Sequence, residues 1–283
     1  TLVFMGLIAS VLFTIVGVAL SHAALTAIAV PENIMGYALP YMQIYFAGIT
    51  FPILYNIGSA ILRAIGDSKR PLYFLIACCL TNVVLDLLFV VGMNMGVAGA
   101  AIATVLSQVV SVILTFASLM KTQECYRFSI KMLKMDTHLI KSMLRIGLPV
   151  GLQSTMYSIS NILIQSSING FGTDVIAGWT AVGKVDSLFW MAINAFGIAV
   201  TTFVGQNFGA GKYDRVKKSV RVSMVMAMGM TIVLSILMLL TERYTLGLFT
   251  RDTNVIKIGE EMMFYMVTFY FTYVPIEVFS GAI

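Results

Sequence analysis

Long apolar blocks dominate the chain, and the charged residues lie mainly between them. Each block is close to the about 20 residues that a helix needs to cross a hydrocarbon core. The blocks are continuously apolar rather than alternating, which favours helices over barrel strands in lipid. We therefore predict an all-α fold, a polytopic membrane helical bundle. About eight spans are expected, in residues 1–20, 37–62, 71–95, 97–120, 146–171, 177–208, 222–241 and 262–283.

The composition excludes an ordinary soluble domain. Of the 283 residues, 59% are apolar and only 11% are charged, which is too few charges to cover a water-exposed surface of this size. Gly and Pro recur inside the blocks, where neighbouring helices can satisfy the backbone groups that these residues leave unpaired. Kinked and closely packed helices are expected at Pro52, Gly58, Pro149, Gly151 and Pro275.

The basic residues indicate how the chain is oriented in the membrane. Counted over alternate connections, 14 of the 18 Lys and Arg fall on one side, in loops 63–70, 121–145 and 209–221. Short cytoplasmic loops carry such an excess, so these three loops are assigned to the cytoplasm. The net charge of +5 then reflects topology, and no nucleic-acid partner is expected.

The sequence lacks motifs for metal or nucleotide chemistry. His22 and His138 are predicted to lie in loops far apart, so no metal site is expected. The segment GQNFGAGKYDRV is not a phosphate-binding loop, because Gln206 and Tyr213 stand where that motif needs Gly and Ser or Thr. We expect neither a nucleotide nor a cofactor. This segment and the segment RAIGDSKRP are both interpreted as tight turns.

An internal repeat predicts two parallel halves. The segment YMQIYFAGITFPILYNIGSAI from Tyr41 resembles YMVTFYFTYVPIEVFSGAI from Tyr265, and an even number of predicted crossings separates them, so both share one orientation. Residues 1–120 are then the end of an N-terminal lobe, 121–145 a linker and 146–283 the start of a C-terminal lobe. The chain begins without Met and ends inside an apolar block. We expect a piece of a transporter with about twelve spans.

Four motifs carry a family resemblance. RAIGDSKRP, TNVVLD, GVAGAAIATVLSQ and FVGQNFGAGKYDRV, in this order along the chain, resemble the multidrug and toxic compound extrusion (MATE) family. The resemblance places the chain at the third to the tenth of the family's twelve helices. It implies a two-lobed antiporter of the bacterial inner membrane that exports cationic, amphipathic organic compounds across the lipid bilayer while Na⁺ or H⁺ flows inward.

Asn82 and Asp86 are the best candidates for cation coupling. They are four residues apart, so both side chains project from one face of a helix and can offer oxygen ligands or share a proton. In the family the fifth helix carries such a pair and the sixth adds a Thr, which Thr104 matches. The family's Asp on the first helix has no counterpart in this chain. The alternative is that Asp86 only bonds to a neighbouring helix and holds the bundle together.

Glu277 is a candidate for a second ion or substrate site, because it follows Pro275 in a span that this Pro is expected to break. It resembles an acid on the family's tenth helix. The match is weaker, since the Glu expected on the seventh helix is missing and Gln153 and Tyr157 occupy that region. A purely structural role for Glu277 stays open.

Lys184 and Asp186 also interrupt an apolar block. They stand two residues apart and share no helical face, so a mutual salt bridge is not expected. Packing or extension of the charge toward the membrane surface is favoured over a role as a gate.

Two alternative functions require other features in the sequence. A lipid or lipid-linked oligosaccharide flippase of related fold would require a basic central cavity, whereas the spans offer acids and few bases. A membrane-embedded enzyme would need a nucleophile beside a base or a metal cluster. Neither His is predicted in a span, and the HExxH and GxSxG motifs are absent from the sequence, so no catalytic residue and no enzymatic activity are expected.

The charge distribution makes the topology testable. A single Cys replacing Lys217 in a Cys-free background should react only with thiol reagents that reach the cytoplasm, whereas a Cys replacing Arg251, in an opposite loop, should react from outside. The measurement is labelling of intact cells with a membrane-impermeant maleimide. Labelling at position 217 from outside would overturn the assignment.

Overall fold

The computed structural model describes residues 1–27, 30, 32–124, 126–129 and 133–282. Lys131, one of the residues counted for the topology, lies outside the described residues. Helices make up nearly all of the described chain and no strand occurs in it, so the prediction of an all-α membrane fold is confirmed. The α-helices are α1 Leu2–Ala27, α2 Glu32–Ala47, α3 Thr50–Ala64, α4 Lys69–Asp86, α5 Gly96–Lys121, α6 Thr137–Asn169, α7 Thr173–Gly209, α8 Tyr213–Gly247, α9 Thr253–Thr268 and α10 Val274–Ala282.

Within the described residues, six segments are long and apolar enough to cross a membrane, and the bent pair α2 and α3 raises the number to seven. The remaining predicted span, residues 146–171, lies largely in α6, which does not meet this criterion. The reason is composition, because this part of α6 carries Gln153, Asn161 and many Ser and Thr side chains.

Two spans are broken, at matching places in the two copies of the repeat. The first bends by 43° between α2 and α3, around Gly48. In the second, the 3₁₀ turn Tyr270–Thr272 separates α9 from α10, about 223 residues later. The break therefore lies before Pro275 rather than at it, and the expectation of a break at this Pro was wrong in position. Pro275 occupies the first turn of α10, where its missing N–H would be unpaired in any case.

The chain divides into two compact units, residues 1–147 and 148–283, with the boundary inside α6. In the first unit α5 is central and packs against α2, α3 and α4, while α1 packs against α2 and α3. The buried face of α5 consists mainly of small residues, which allow close helix approach in a membrane. These are Gly99, Ala101, Ala103, Ser107, Ser111 and Thr115.

In the second unit α7 is central and packs against α8, α9 and α10. Its buried stripe runs the length of the helix and includes the fully buried Phe189 and Ile193. By contrast, α6 has no buried residue. The framework of the second unit is thus α7 to α10.

The two segments interpreted as turns are tight helix ends, which confirms that prediction. Gly66 and Gly211 have φ of 90° and 69°, the left-handed conformation that Gly adopts without strain. The next residue in each turn donates its N–H to a carbonyl five residues back: Asp67 to Leu62 at 3.0 Å and Lys212 to Asn207 at 2.8 Å.

The placement of the histidines differs from the prediction. His22 lies in α1 and His138 in the first turn of α6, so neither is in a loop. His22 was misplaced because the apolar block was ended at residue 20, whereas Ala-rich sequence continues the helix to Ala27.

Gly99 provides a test of the close packing. A Cβ at this position would lie 2.9 Å from the Met95 Cβ and 3.2 Å from the Phe89 carbonyl carbon. We expect Gly99→Ala to lower the free energy of unfolding by about 1–3 kcal/mol through overpacking. Gly229→Ala, where the space is open, should be neutral or stabilising by up to about 1 kcal/mol. Unfolding in mixed detergent micelles measures both, and equal effects would contradict the packing described.

Candidate functional site

Asn82 and Asp86 lie on one face of α4, as the spacing predicts, and each has a buried polar atom. Within the described residues, Asn82 Nδ2 and Asp86 Oδ1 are shielded from solvent and make no hydrogen bond. Most buried polar side-chain atoms are paired, so two orphaned atoms one helical turn apart are unusual. Both orphaned atoms lie near the C-terminal end of α4.

Asp86 ends α4, and the six residues that follow, Leu87–Gly92, form a π-helical segment. A π turn widens the helix locally and recurs at functional sites. The beginning of α5 packs closely on this segment, since Gly99 leaves no room for a Cβ beside Phe89. Thr104 lies on α5, the helix that packs against α4. Its hydroxyl donates to the Ala100 carbonyl at 2.9 Å, which leaves its oxygen lone pairs available as acceptors.

No Lys or Arg forms an ion pair with Asp86 in the described part of the chain. The one ion pair found there joins Arg70 to Asp67 at 3.0 Å, in the turn between α3 and α4. Among the same residues, no group of three or more His, Cys, Asp or Glu is arranged to hold a metal ion.

Glu277 lies in the first turn of α10, where the helix dipole favours a negative charge. Tyr273 donates its hydroxyl to Glu277 Oε2 at 3.1 Å. The carboxylate lies against α7 at Gly197, and a Cβ on that glycine would collide with Glu277 Oε1. Gly281 passes close to the Gly197 carbonyl, so two glycines form the crossing of α7 and α10. Gly197 therefore makes the space that the carboxylate occupies.

Asp186 is held by aromatic donors that the sequence analysis did not consider. Trp190 Nε1 donates to Asp186 Oδ2 at 2.7 Å, and the Tyr270 hydroxyl donates to Asp186 Oδ1. Tyr270 also stacks on Phe189, with ring centroids 4.2 Å apart and planes at 15°. Phe189 and Trp190 follow Asp186 by three and four residues, the spacing of a shared helical face. That spacing was the sequence signal for these contacts of Asp186. Lys184, two residues before Asp186, lies on a different face of α7 and gives no information about them.

The other candidates lie apart from this cluster or at its edge. Lys184 is exposed on α7. Gln153 and Tyr157 are both exposed on α6. The Tyr157 side chain interacts with that of Tyr273, next to Glu277. The structure therefore relates Tyr157 to Glu277 through Tyr273 and provides no such relation for Gln153.

A family model described as MatE matches residues 1–88 and 149–283, which is more than half of the chain. The chain belongs to the MatE family. Both candidate acids, Asp86 and Glu277, lie within the matched residues.

Curated relatives of this MatE chain span a range of identity. It is 33% identical over 262 residues to the probable multidrug resistance protein YpnP of Bacillus subtilis, covering 92% of this chain and 58% of the relative. It is 29% identical to the probable multidrug resistance protein YoeA of the same organism, covering 99% of this chain and 62% of the relative. The MatE chain thus spans about three fifths of the length of these relatives.

Solved structures share the fold of the MatE chain at low identity. A MATE transporter in the bent conformation matches with a TM-score of 0.89 at 22% identity, covering 99% of this chain and 63% of that one. An outward-facing MATE family transporter of the MOP superfamily matches with a TM-score of 0.90, also at 22% identity, covering 99% and 64%.

The contact between Gly197 and Glu277 can be tested in the MatE chain by a double-mutant cycle. Gly197→Ala should lower the free energy of unfolding by about 1–3 kcal/mol, because the new methyl group displaces the carboxylate. In a Glu277→Ala background the same change should cost much less, since the colliding group is gone. Gly205→Ala on the same helix, which meets nothing within 4 Å, is the matched control. Additive effects of the two substitutions would argue against the contact.

Proposed function

We propose that this chain works in a cation-coupled antiporter, which exports cationic amphipathic organic compounds by alternating access while Na⁺ or H⁺ flows inward. Support for export comes from the family and from relatives whose names describe multidrug resistance. The proposed location is the bacterial inner membrane, with residues 63–70, 121–145 and 209–221, which the structure shows to include helix ends, in the cytoplasm. Residues 1–120 and 146–283 are proposed to belong to two lobes joined by the linker 121–145.

The observation that carries the coupling proposal is the pair of buried, unpaired atoms on Asn82 and Asp86. Rotation of the Asn82 amide exchanges its nitrogen and oxygen and puts an oxygen in the buried position, four residues before Asp86 on the same helix face. Carboxylate, amide and hydroxyl oxygens suit a hard cation, and Thr104 on the adjacent helix offers a third oxygen. A proton on Asp86 would neutralise the same carboxylate in place of a metal cation. The site is therefore proposed to bind either Na⁺ or H⁺.

The lack of a basic partner for Asp86 also accounts for the proposed exchange of a coupling ion against a cationic substrate. A charge at the centre of a bilayer costs at least about 2.5–3.5 kcal/mol on insertion scales, so the carboxylate of Asp86 favours any cation that reaches it. A coupling ion and a cationic substrate neutralise the same charge, which makes their binding mutually exclusive. Inward movement of one charge supplies about 2.3 kcal/mol per 100 mV of membrane potential. No nucleotide or cofactor is required for this cycle.

In the second unit we propose that Glu277 contributes an ion or substrate site. Tyr157 is its nearest proposed companion, through Tyr273, and Gln153 is retained as a member from the resemblance alone. Glu277 has no basic partner among the described residues, which supports a role in binding a cation.

A flippase for lipids or lipid-linked oligosaccharides is the second candidate, because the fold alone does not determine the charge of the substrate. A MOP superfamily transporter from Pyrococcus furiosus matches with a TM-score of 0.85 at 22% identity, and it is described as having a binding pocket of reverse polarity that suggests a different function. In the present chain the candidate acids Asp86, Asp186 and Glu277 are partly buried in the spans, whereas Lys184 is exposed. This charge favours cationic over anionic substrates.

Asp86→Asn should abolish coupled export in the transporter that carries this sequence. The substitution removes the charge that ion and substrate share but keeps the size of the side chain. Efflux of a fluorescent organic cation from proteoliposomes measures the effect. Asp174→Asn, an exposed carboxylate at the start of α7, is the control and should retain efflux. Unimpaired efflux in Asp86→Asn would remove Asp86 from the coupling site.

The same variant should change the pH dependence of binding. A negative charge on Asp86 attracts an organic cation and a proton on Asp86 removes that charge, so affinity for tetraphenylphosphonium should rise with pH. The trend should vanish in Asp86→Asn. Isothermal titration at several pH values measures it, and a trend that survives the substitution would assign the coupling to another acid, first of all Glu277.

A further inference from the structure

The carboxylate of Asp186 is bound in a way that only an acid can satisfy. Two donors, the Trp190 indole N–H and the Tyr270 hydroxyl, each point at a different carboxylate oxygen. An amide at this position would offer one acceptor oxygen and turn its NH₂ group toward the second donor. In the described residues no Lys or Arg pairs with Asp186. Charge pairing within the chain therefore does not explain this acid.

Asp186 belongs to a stripe on α7 that faces the broken span. Phe189, Trp190 and Gly197 continue this stripe over about 16 Å of helix. At one end Asp186 and Phe189 fix the Tyr270–Thr272 turn, by a hydrogen bond and a ring stack. At the other end Gly197 accommodates Glu277. One face of α7 thus contacts both the break and the acid that follows it.

A chain of contacts joins the two acids. The Trp190 ring, oriented by its bond to Asp186, packs against Tyr273 with centroids 4.7 Å apart and planes at 75°. Tyr273 in turn donates its hydroxyl to Glu277. The Tyr270–Thr272 turn that Asp186 holds leads directly into Tyr273 and α10. The ring contact through Trp190 and the turn Tyr270–Thr272 thus both lead from Asp186 to Tyr273, whose hydroxyl contacts Glu277.

We propose that Asp186 is a positioning residue for Glu277: it holds Trp190 and the Tyr270–Thr272 turn, and these hold Tyr273 against the Glu277 carboxylate. The proposal rests on the proposed function, in which Glu277 binds a cation. Asp186 does not touch the ligand. Its effect is to keep a carboxylate of the broken span in one place, because the break removes the continuous helix that would otherwise do so.

The test is a double-mutant cycle on ligand affinity. Equilibrium dialysis with radiolabelled tetraphenylphosphonium, at one pH, gives the Kd of the purified transporter, of Asp186→Asn, of Glu277→Gln and of the double variant. Asp186→Asn should weaken binding by about tenfold, the lower end for a group that acts through a ligand-binding residue, and Glu277→Gln by at least as much. The double variant should bind no more weakly than Glu277→Gln alone, since Asp186 acts only through Glu277.

A second, milder variant tests the same proposal in case Asp186→Asn does not fold. Tyr270→Phe removes one hydroxyl and keeps the ring that stacks on Phe189, and it should weaken binding in the same direction by a smaller factor. Tyr265→Phe, an exposed residue of α9, is the matched control and should bind as the unchanged protein does. Gel filtration establishes that each variant is folded.

The outcomes separate the inference from the function on which it rests. Unchanged affinity in Glu277→Gln would overturn the proposed site at Glu277 and the positioning role together. Weaker binding in Glu277→Gln with unchanged binding in Asp186→Asn and Tyr270→Phe would overturn the positioning role alone. Factors that multiply in the double variant would show that Asp186 acts independently of Glu277 and would also overturn it.

Discussion

The exclusion of water from the bilayer is the constraint on which the structure depends. Backbone N–H and C=O groups must pair within the chain, so the spans are helices and any break must be secured by neighbouring side chains. At the break in the second unit, Tyr270 is buried and bonded to Asp186 on α7. The turn Tyr270–Thr272 is therefore held by the helix it faces. The same lack of water makes an unpaired carboxylate costly, which connects the fold to the chemistry of Asp86 and Glu277.

Small residues determine where these acids can lie. Gly99 brings the beginning of α5 against the π segment that follows Asp86, and Gly197 leaves the space into which Glu277 extends. In the second unit the glycine of the central helix lies against the acid itself, whereas in the first it lies against Phe89, three residues after the acid. Close helix packing is the main source of helix association in lipid, since burial of apolar side chains gains little there. The same contacts thus stabilise the bundle and shape the candidate sites.

The spans and the pairing of Asn82 with Asp86 could be predicted because both depend on local periodicity. Apolar blocks of sufficient length give helices, and a spacing of four gives one face. The polarity of α6 was underestimated because its Ser, Thr and amide residues carry no charge and did not interrupt the block. The break was expected at Pro275, yet its position depends on ring stacking with Phe189. The bond from Tyr270 to Asp186 joins residues 84 apart and could not be inferred from either segment alone.

Comparison of the two copies of the repeat shows which features of the broken span the fold requires. The two broken spans share their sequence pattern and the place of their break, so the break belongs to the duplicated framework. With an offset of about 223 residues, Glu277 corresponds to Leu54, and Tyr273 to Thr50. The first copy is interrupted at the matching place without an acid and without these two tyrosines, since Ala47 and Thr50 stand at the positions of Tyr270 and Tyr273. The framework therefore does not need a carboxylate at this position, and the cost of placing Glu277 in a span supports its proposed role in binding over a purely structural one.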